Sequence, residues 1–336
     1  MDNKSVNSTM AKPSLIKNIT SMREFSILLF LILVCVIMSF ASPVFATKET
    51  VINTLYNVST QGILVIGMTV ALISGGFDLS IGSVVGLVGA VTAKLFLNGH
   101  LNEWLAAGIA MVIALAIGSA NGFFITRLRL SPFITTLATM GIARGAIYVV
   151  SRGTTQSLVS MSPTFLSIGK GTLGLIPHIG IIFIVFAILF DILLRRSKIF
   201  RKVYYTGSNE KAARMSGINT RKITFLVYVF VAGVAGMAGI LSLMRFGIAA
   251  PTYGTGMELT VISAAVIGGC SLNGGEGSVF GSVLGIILLG IVSTSMTLLG
   301  ISVFWQQLIT SLILLIAVSL DSINEIVKGN RLAVMD

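Results

Sequence analysis

The chain has 336 residues, of which 54% are hydrophobic and only 10% are charged. Soluble domains carry about 25% charged residues, so this composition excludes an ordinary soluble protein and predicts an all-α, polytopic membrane protein. The net charge of +11 would suit a nucleic-acid-binding protein. Its basic residues, however, lie mainly between apolar runs, where they orient membrane helices, so we expect a lipid bilayer and no nucleic acid as the partner.

Residues 1–24 are mainly polar and are followed by an apolar run from Phe25 to Phe40. The polar part is long for a signal peptide, and Val44-Phe45-Ala46 is a poor cleavage site. We therefore interpret 1–25 as a cytoplasmic N-terminal tail and the apolar run as a retained first membrane helix.

The hydropathy of the chain predicts about ten membrane helices, because a crossing helix needs about 20 mainly apolar residues. They lie near 26–45, 56–74, 80–97, 104–126, 132–151, 178–195, 223–245, 258–270, 278–299 and 302–320. The eighth is too short to cross alone, so two alternatives stay open: it crosses fully, or it turns back.

Orientation follows from the basic residues, which concentrate on the cytoplasmic side of membrane proteins. Most of the 23 lysines and arginines fall on one side if both termini are cytoplasmic. The predicted permease domain is then 26–320, with an external loop at 152–177, a basic cytoplasmic loop at 196–222, and a cytoplasmic tail at 321–336.

The second and third helices are separated by a short polar break. Ser74, Gly75 and Gly76 end one apolar run, and Asp78 and Ser80 precede the next. Either glycine can take the left-handed conformation that ends a helix, and the carboxylate or hydroxyl can cap the next one. Such a break is tolerated in lipid only if it is buried in protein or lines a water-filled path. Asp78 therefore either caps a helix or contacts a substrate or ion.

A similar pattern recurs in the second half, where Gly268, Gly269 and Ser271 follow an apolar run. Glycine-interrupted helices in both halves of a transporter indicate its substrate path. The pathway candidates are these residues, the five of the first break, and the intramembrane polar residues Asn121 and Arg144. For Asn121 the alternative is a hydrogen bond to a neighbouring helix. For Arg144 it is an internal pair with a carboxylate or with carbonyl groups.

The basic cytoplasmic loop contains a predicted short helix from Asn209 to Gly217. No nucleotide-binding loop, catalytic serine motif or cluster of metal ligands occurs anywhere in the sequence. We therefore predict no catalytic residues, no metal site and no cofactor. ATP hydrolysis, if it drives transport, must take place on another chain.

Three motifs resemble permeases of the ribose/galactose/xylose type of bacterial ABC importer. Ser74–Ser83 resembles the family signature GGIDLSVGS, Gly207–Asn219 resembles its segment GgNeeAArlSGIn, and Ile267–Gly277 resembles its segment lGGtSlsGGrG. The motifs occur in the family's order within Thr50–Asp321. Lys211 departs from the pattern, because the family usually has an acidic residue there.

The resemblance implies a transport subunit of the bacterial cytoplasmic membrane, not an enzyme, that forms the path for a monosaccharide such as a pentose, a hexose or a related polyol. It implies three partners: an ABC ATPase, an extracytoplasmic sugar-binding protein, and a second permease copy or paralogue. The short helix would couple to the ATPase through Gly207, Asn209, Glu210, Lys211, Ala212, Ala213, Arg214 and Gly217.

Two other functions stay open at this point. The first is an ABC permease for a nucleoside, a branched-chain amino acid or a furanosyl signalling molecule. The second is an ion-coupled secondary carrier, which the scarcity of intramembrane carboxylates and histidines disfavours.

Overall fold

The computed structural model describes residues 23–333. Nearly all of the predicted N-terminal tail, 1–22, lies outside the described residues, as do 334–336. The helices are α1 (Arg23–Ala41), α2 (Lys48–Ile73), α3 (Ile81–Leu97), α4 (Glu103–Thr126), α5 (Pro132–Ser151), α6 (Pro163–Lys170), α7 (His178–Arg196), α8 (Lys198–Ser208), α9 (Glu210–Met215), α10 (Thr220–Phe246), α11 (Met257–Ile267), α12 (Val279–Leu298) and α13 (Val303–Ala333). The short strands are β1 (Gln156–Ser157), β2 (Thr172–Leu173), β3 (Ile176–Pro177) and β4 (Ile248–Ala249).

Seven helices in the described range are long and apolar enough to cross a membrane: α1, α2, α4, α5, α7, α10 and α12. This confirms a helical, polytopic membrane protein. Three further apolar helices are shorter, namely α3, α11 and the part of α13 from Val303 to Ile316. Since α11 has 11 residues, it is about 16 Å long and spans only about half of the hydrocarbon core.

The interior is built around α2 and α10, which pack against each other. Of the most apolar 18-residue segment of each helix, 83% is buried in α2 and only 11% in α1. Close packing depends on small residues: a Cβ on Gly118 of α4 would lie 2.6 Å from the carbonyl oxygen of Tyr228 in α10. Backbones can approach this closely only where one helix presents glycine.

The ends of two helices differ from the sequence expectation. The second helix begins at Lys48 and not near 56, because the Thr47 side chain caps it by accepting the Thr50 N–H at 3.4 Å. Hydropathy misses this polar first part, which lies outside the apolar run. The last helix continues beyond 320 to Ala333.

The predicted external loop 152–177 is a folded layer. Strand β1 pairs antiparallel with β4, which follows α10, and β2 pairs with β3 in a hairpin. Helix α6 packs on α10, and a Cβ on Gly169 would overlap the backbone at Met244 and Arg245. The segment is therefore held against the body of the protein.

The predicted cytoplasmic loop 196–222 contains two helices, whereas the sequence predicts one. The additional helix, α8, is amphipathic: Val203 is buried, and Lys198, Arg201 and Lys202 are exposed. A one-sided helix has low mean hydropathy, so a search for apolar runs misses it.

Candidate functional site

The first break ends α2 with a hydrogen-bonded glycine turn. Gly75 has a φ of +82°, its N–H binds the Leu72 carbonyl at 2.9 Å, and the Gly76 N–H binds the Ala71 carbonyl at 3.1 Å. These two bonds are the Schellman motif, which satisfies the last carbonyl groups of a helix. Ser74 adds a bond from its hydroxyl to the Ala71 carbonyl at 2.7 Å. Thus Gly75, and not Gly76, takes the predicted left-handed conformation.

The second break ends α11 with the same motif. Gly269 has a φ of +96°, its N–H binds the Val266 carbonyl at 2.9 Å, and the Cys270 N–H binds the Ala265 carbonyl at 2.9 Å. Gly269 is therefore the structural counterpart of Gly75. The two similar sequence patterns therefore adopt the same backbone conformation. The positive φ falls on the first glycine of the pair in the first break and on the second glycine in the second break, which glycine pairs alone do not reveal.

Asp78 is the centre of a buried polar network. Its Oδ1 accepts the Ser80 N–H at 2.8 Å and the Ser80 hydroxyl at 2.5 Å, and only 1% of the residue is exposed. The Asn121 amide of α4 donates to the Ser80 hydroxyl at 3.2 Å and accepts the Thr139 hydroxyl of α5 at 2.6 Å. The geometry of Asp78 and Asn121 thus supports structural roles over substrate contact. Their hydrogen bonds connect the start of α3 to α4 and α5.

Arg144 donates hydrogen bonds to backbone carbonyl groups of a non-helical segment. Its Nη1 donates to the carbonyl oxygens of Pro251 at 3.1 Å and Tyr253 at 2.9 Å. These carbonyls belong to the non-helical stretch before α11, next to Gly86 of α3. Non-helical backbone at membrane depth needs partners within the protein. The geometry supports an internal role for Arg144, bound to carbonyl groups.

The two breaks meet α8 at a contact that we call the glycine junction, formed by Ile73, Gly75, Gly207, Gly274 and Gly275. The Gly275 N–H binds the Ile73 carbonyl at 2.9 Å. A Cβ on Gly207 would overlap that carbonyl oxygen and lie 2.8 Å from the Gly275 nitrogen. A Cβ on Gly274 would lie 2.7 Å from the Gly75 Cα. One turn of α8 is therefore in van der Waals contact with both interrupted regions.

A cavity of 520 Å³ opens beside this junction. It brings together the predicted pathway residues Ser74, Gly75 and Gly76 and the predicted coupling residues Gly207, Asn209, Glu210 and Arg214. The other pathway candidates, Asp78, Ser80, Asn121, Arg144, Gly268, Gly269 and Ser271, do not line it. The candidates therefore form two groups: those that line the cavity, and those that lie away from it, in or next to the two breaks.

The cavity also has lining residues that sequence reasoning missed. Tyr228 of α10 is fully buried, and its hydroxyl points to the Phe77 carbonyl at 3.4 Å. A tyrosine within an otherwise apolar membrane helix was the available signal. Outside the cavity, Tyr204 of α8 donates to the Gly277 carbonyl at 2.9 Å. Burial raises the pKa of Tyr204 to about 12, so this hydroxyl stays protonated and holds α8 to the second break.

The predicted short helix is confirmed as α9. Asn209 caps its start by accepting the Ala212 N–H at 2.9 Å, and Gly217, with a φ of +79°, follows its end. The Glu210 carboxylate binds Arg214 and accepts the Thr220 hydroxyl at 3.0 Å, which fixes α9 to the first turn of α10. Both charged side chains remain about half exposed, so the ion pair is itself part of the surface of α9.

The exposed surface of α9 also includes residues that take no part in this ion pair. Lys211 and Ala212 are exposed, whereas Ala213 is buried against the protein. Met215 is 90% exposed, which is unusual for a large apolar side chain. An exposed methionine on a capped, clamped helix is suited to insertion into a partner's cleft.

Within the described residues, seven apolar helices, two breaks built on the same turn and a cavity beside an exposed short helix fit a multi-pass membrane transport protein. The family described as "Branched-chain amino acid transport system / permease component" matches residues 50–318. The chain belongs to that family.

Curated relatives resemble the chain over most of its length. It is 34% identical to the ribose import permease protein RbsC of Escherichia coli strain K12, over 90% of this chain and 94% of that protein. RbsC of Bacillus subtilis strain 168 is 33% identical over 89% and 93%. The L-arabinose transport system permease protein AraH of Escherichia coli strain K12 is 35% identical over 83% and 84%. No solved structure is significantly similar to the chain.

Proposed function

We propose that the chain is the membrane permease subunit of an ABC importer for a monosaccharide, a pentose or hexose, in the bacterial cytoplasmic membrane. Full-length similarity to ribose and L-arabinose permeases supports this substrate class. The observation that carries the mechanism is the glycine junction, through which α8, the helix that leads directly into α9, contacts both breaks at once. The chain itself hydrolyses nothing; a partner ATPase supplies the energy.

We infer three partners, two of which dock on surfaces of this chain. An ABC ATPase docks on α9, with Met215 in its cleft, and an extracytoplasmic sugar-binding protein delivers substrate to the layer formed by 152–177. A second permease copy or paralogue completes the path. Both termini lie in the cytoplasm, ten helices enter the membrane, and α11 turns back, because its length matches about half of the core.

The test is transport by the complete importer in vesicles. We expect ATP-dependent uptake of labelled ribose or arabinose that requires the ATPase and the binding protein. Uptake by the purified chain alone, driven by an ion gradient, would show a secondary carrier instead. A separate experiment tests the orientation. Single cysteines are introduced at 160 or at 215, and intact cells are treated with a thiol reagent that does not cross the membrane. Only the cysteine at 160 is expected to react.

A second substrate class has an observation in its favour, namely the family description, which refers to branched-chain amino acids. Binding of labelled sugars and labelled leucine to the cognate extracytoplasmic protein distinguishes the two. Leucine binding without sugar binding would replace the monosaccharide proposal and leave the ABC mechanism intact.

A further inference from the structure

A second cavity, of 770 Å³, lies between the ends of α4 and α10. Its lining combines three basic residues, Arg127, Arg221 and Lys222, with two phenylalanines, Phe123 and Phe225. No residue of the lining is acidic. The ends of two membrane helices thus form a groove that is both basic and aromatic.

The two kinds of side chain are ordered by depth. Phe123 of α4 precedes Arg127, the residue that caps the end of this helix, by four residues, and Phe225 follows Lys222 by three residues in α10. Residues three or four apart lie on one helix face and are separated by about 4.5–6 Å along the axis. On each helix the phenylalanine therefore lies one turn deeper in the membrane than the basic residue.

Within the described part of the chain, the three basic residues of the groove form no ion pair. The ion pairs found there join Asp191 to Arg195 and Glu210 to Arg214, and neither involves the groove. Arg221 and Lys222 lie in the first turn of α10, which has no acidic residue. Cations at a helix N-terminus are repelled by the helix dipole. An anion in the groove would offset both effects.

We propose that this groove binds an anionic phospholipid, with its phosphate between Arg127, Arg221 and Lys222 and an acyl chain against Phe123 and Phe225. Basic pockets between membrane helices suit acidic lipid headgroups. Membrane orientation explains why basic residues lie on this side of the membrane. It does not explain why three of them converge above two phenylalanines in one groove.

The primary test measures binding of fluorescent phosphatidylglycerol to the full-length permease in phosphatidylcholine nanodiscs. The variant R127Q/R221Q/K222Q is compared with K198Q/R201Q/K202Q, which removes three exposed basic residues from α8. One basic residue near an acidic headgroup is worth about fivefold in affinity, so the groove variant should bind about 100-fold more weakly. The single variant R127Q should lose about fivefold by the same reasoning.

The α8 variant is expected to keep nearly the affinity of the unmodified chain. Equal weakening in both triple variants would show a general effect of surface charge and overturn the proposal. Unchanged binding in the groove variant would overturn it as well. Thermal unfolding of each variant confirms that the exposed substitutions leave the fold intact.

A second comparison tests for the acyl chain. Phe123 is 49% exposed, so Phe123→Ala removes apolar surface at little structural cost. It should weaken phosphatidylglycerol binding about fivefold and leave the weak binding of inorganic phosphate unchanged. Phe304→Ala, at a residue that is 85% exposed and does not line the groove, is the control. If inorganic phosphate binds as tightly as the lipid, the groove is a phosphate site and the lipid proposal is wrong.

Discussion

Replacing Gly207 by alanine tests whether α8 transmits movement to both breaks. The new Cβ would overlap the Ile73 carbonyl oxygen and lie 2.8 Å from the Gly275 nitrogen. These two atoms form a 2.9 Å hydrogen bond between the breaks. The methyl group can be accommodated only if α8 moves away or this bond opens. Overpacking costs about 1–3 kcal/mol and a lost buried hydrogen bond about 1 kcal/mol, so the free energy of unfolding should fall by about 2–4 kcal/mol.

Two measurements follow this substitution. Denaturant titration of the purified permease reports its free energy of unfolding. Reconstitution with the ATPase and the binding protein reports how far substrate stimulates ATP hydrolysis. We expect G207A to lose the stimulation while basal hydrolysis continues, because α9 and its attachment to α10 are not altered.

Gly145→Ala in α5 is the matched control, since no atom lies within 4 Å of a Cβ at that position. Alanine is favoured over glycine within a helix by up to about 1 kcal/mol, so this variant should be neutral or slightly more stable. If G207A and G145A show the same stability and the same stimulation, the glycine junction neither limits packing nor transmits movement.

Three further substitutions test other parts of the site. Arg144→Ala leaves two carbonyls of the irregular segment without a donor and should cost about 2–4 kcal/mol of unfolding free energy; Arg201→Ala at an exposed position should cost nothing measurable, and equal costs would contradict the assigned contact. Asn121→Ala removes both bonds of the buried network and should cost about 1–3 kcal/mol. Thr139→Val, which breaks only one of them, should cost less, and the reverse order would refute the network. Glu210→Ala removes the ion pair with Arg214 and one of the two side-chain hydrogen bonds between α9 and Thr220, so it should loosen α9 and reduce substrate-stimulated ATP hydrolysis without removing the permease from the membrane; full stimulation in this variant would exclude α9 as the coupling element.

Helix positions could be predicted from the sequence because lipid imposes a simple pattern on it. Long apolar runs in a chain with few charges have one stable solution, the membrane helix. The prediction missed α8, whose apolar residues occupy only one face, and the polar start of α2 at Lys48. Both segments are stabilised by packing or capping, which mean hydropathy does not register.

The candidate site could be predicted only in part for a related reason. Glycine breaks are visible in the sequence, and Gly75 and Gly269 do take the left-handed conformation. What a break contacts depends on the tertiary arrangement. The approach of Gly207 to Ile73, and of Tyr228 to Phe77, joins residues far apart in the chain that share no local pattern.

The arrangement of α8 bears on how such a permease can couple to ATP hydrolysis. Its last turn contacts the end of α2 and the turn after α11 together, and Tyr204 holds the same helix to Gly277. A displacement of α9 that moves α8 therefore acts on both breaks together. A secondary carrier, which receives its energy through ions bound near the midplane, has no need of a rigid connection from an exposed short helix to both breaks. That connection favours coupling to a partner ATPase over an ion-driven mechanism.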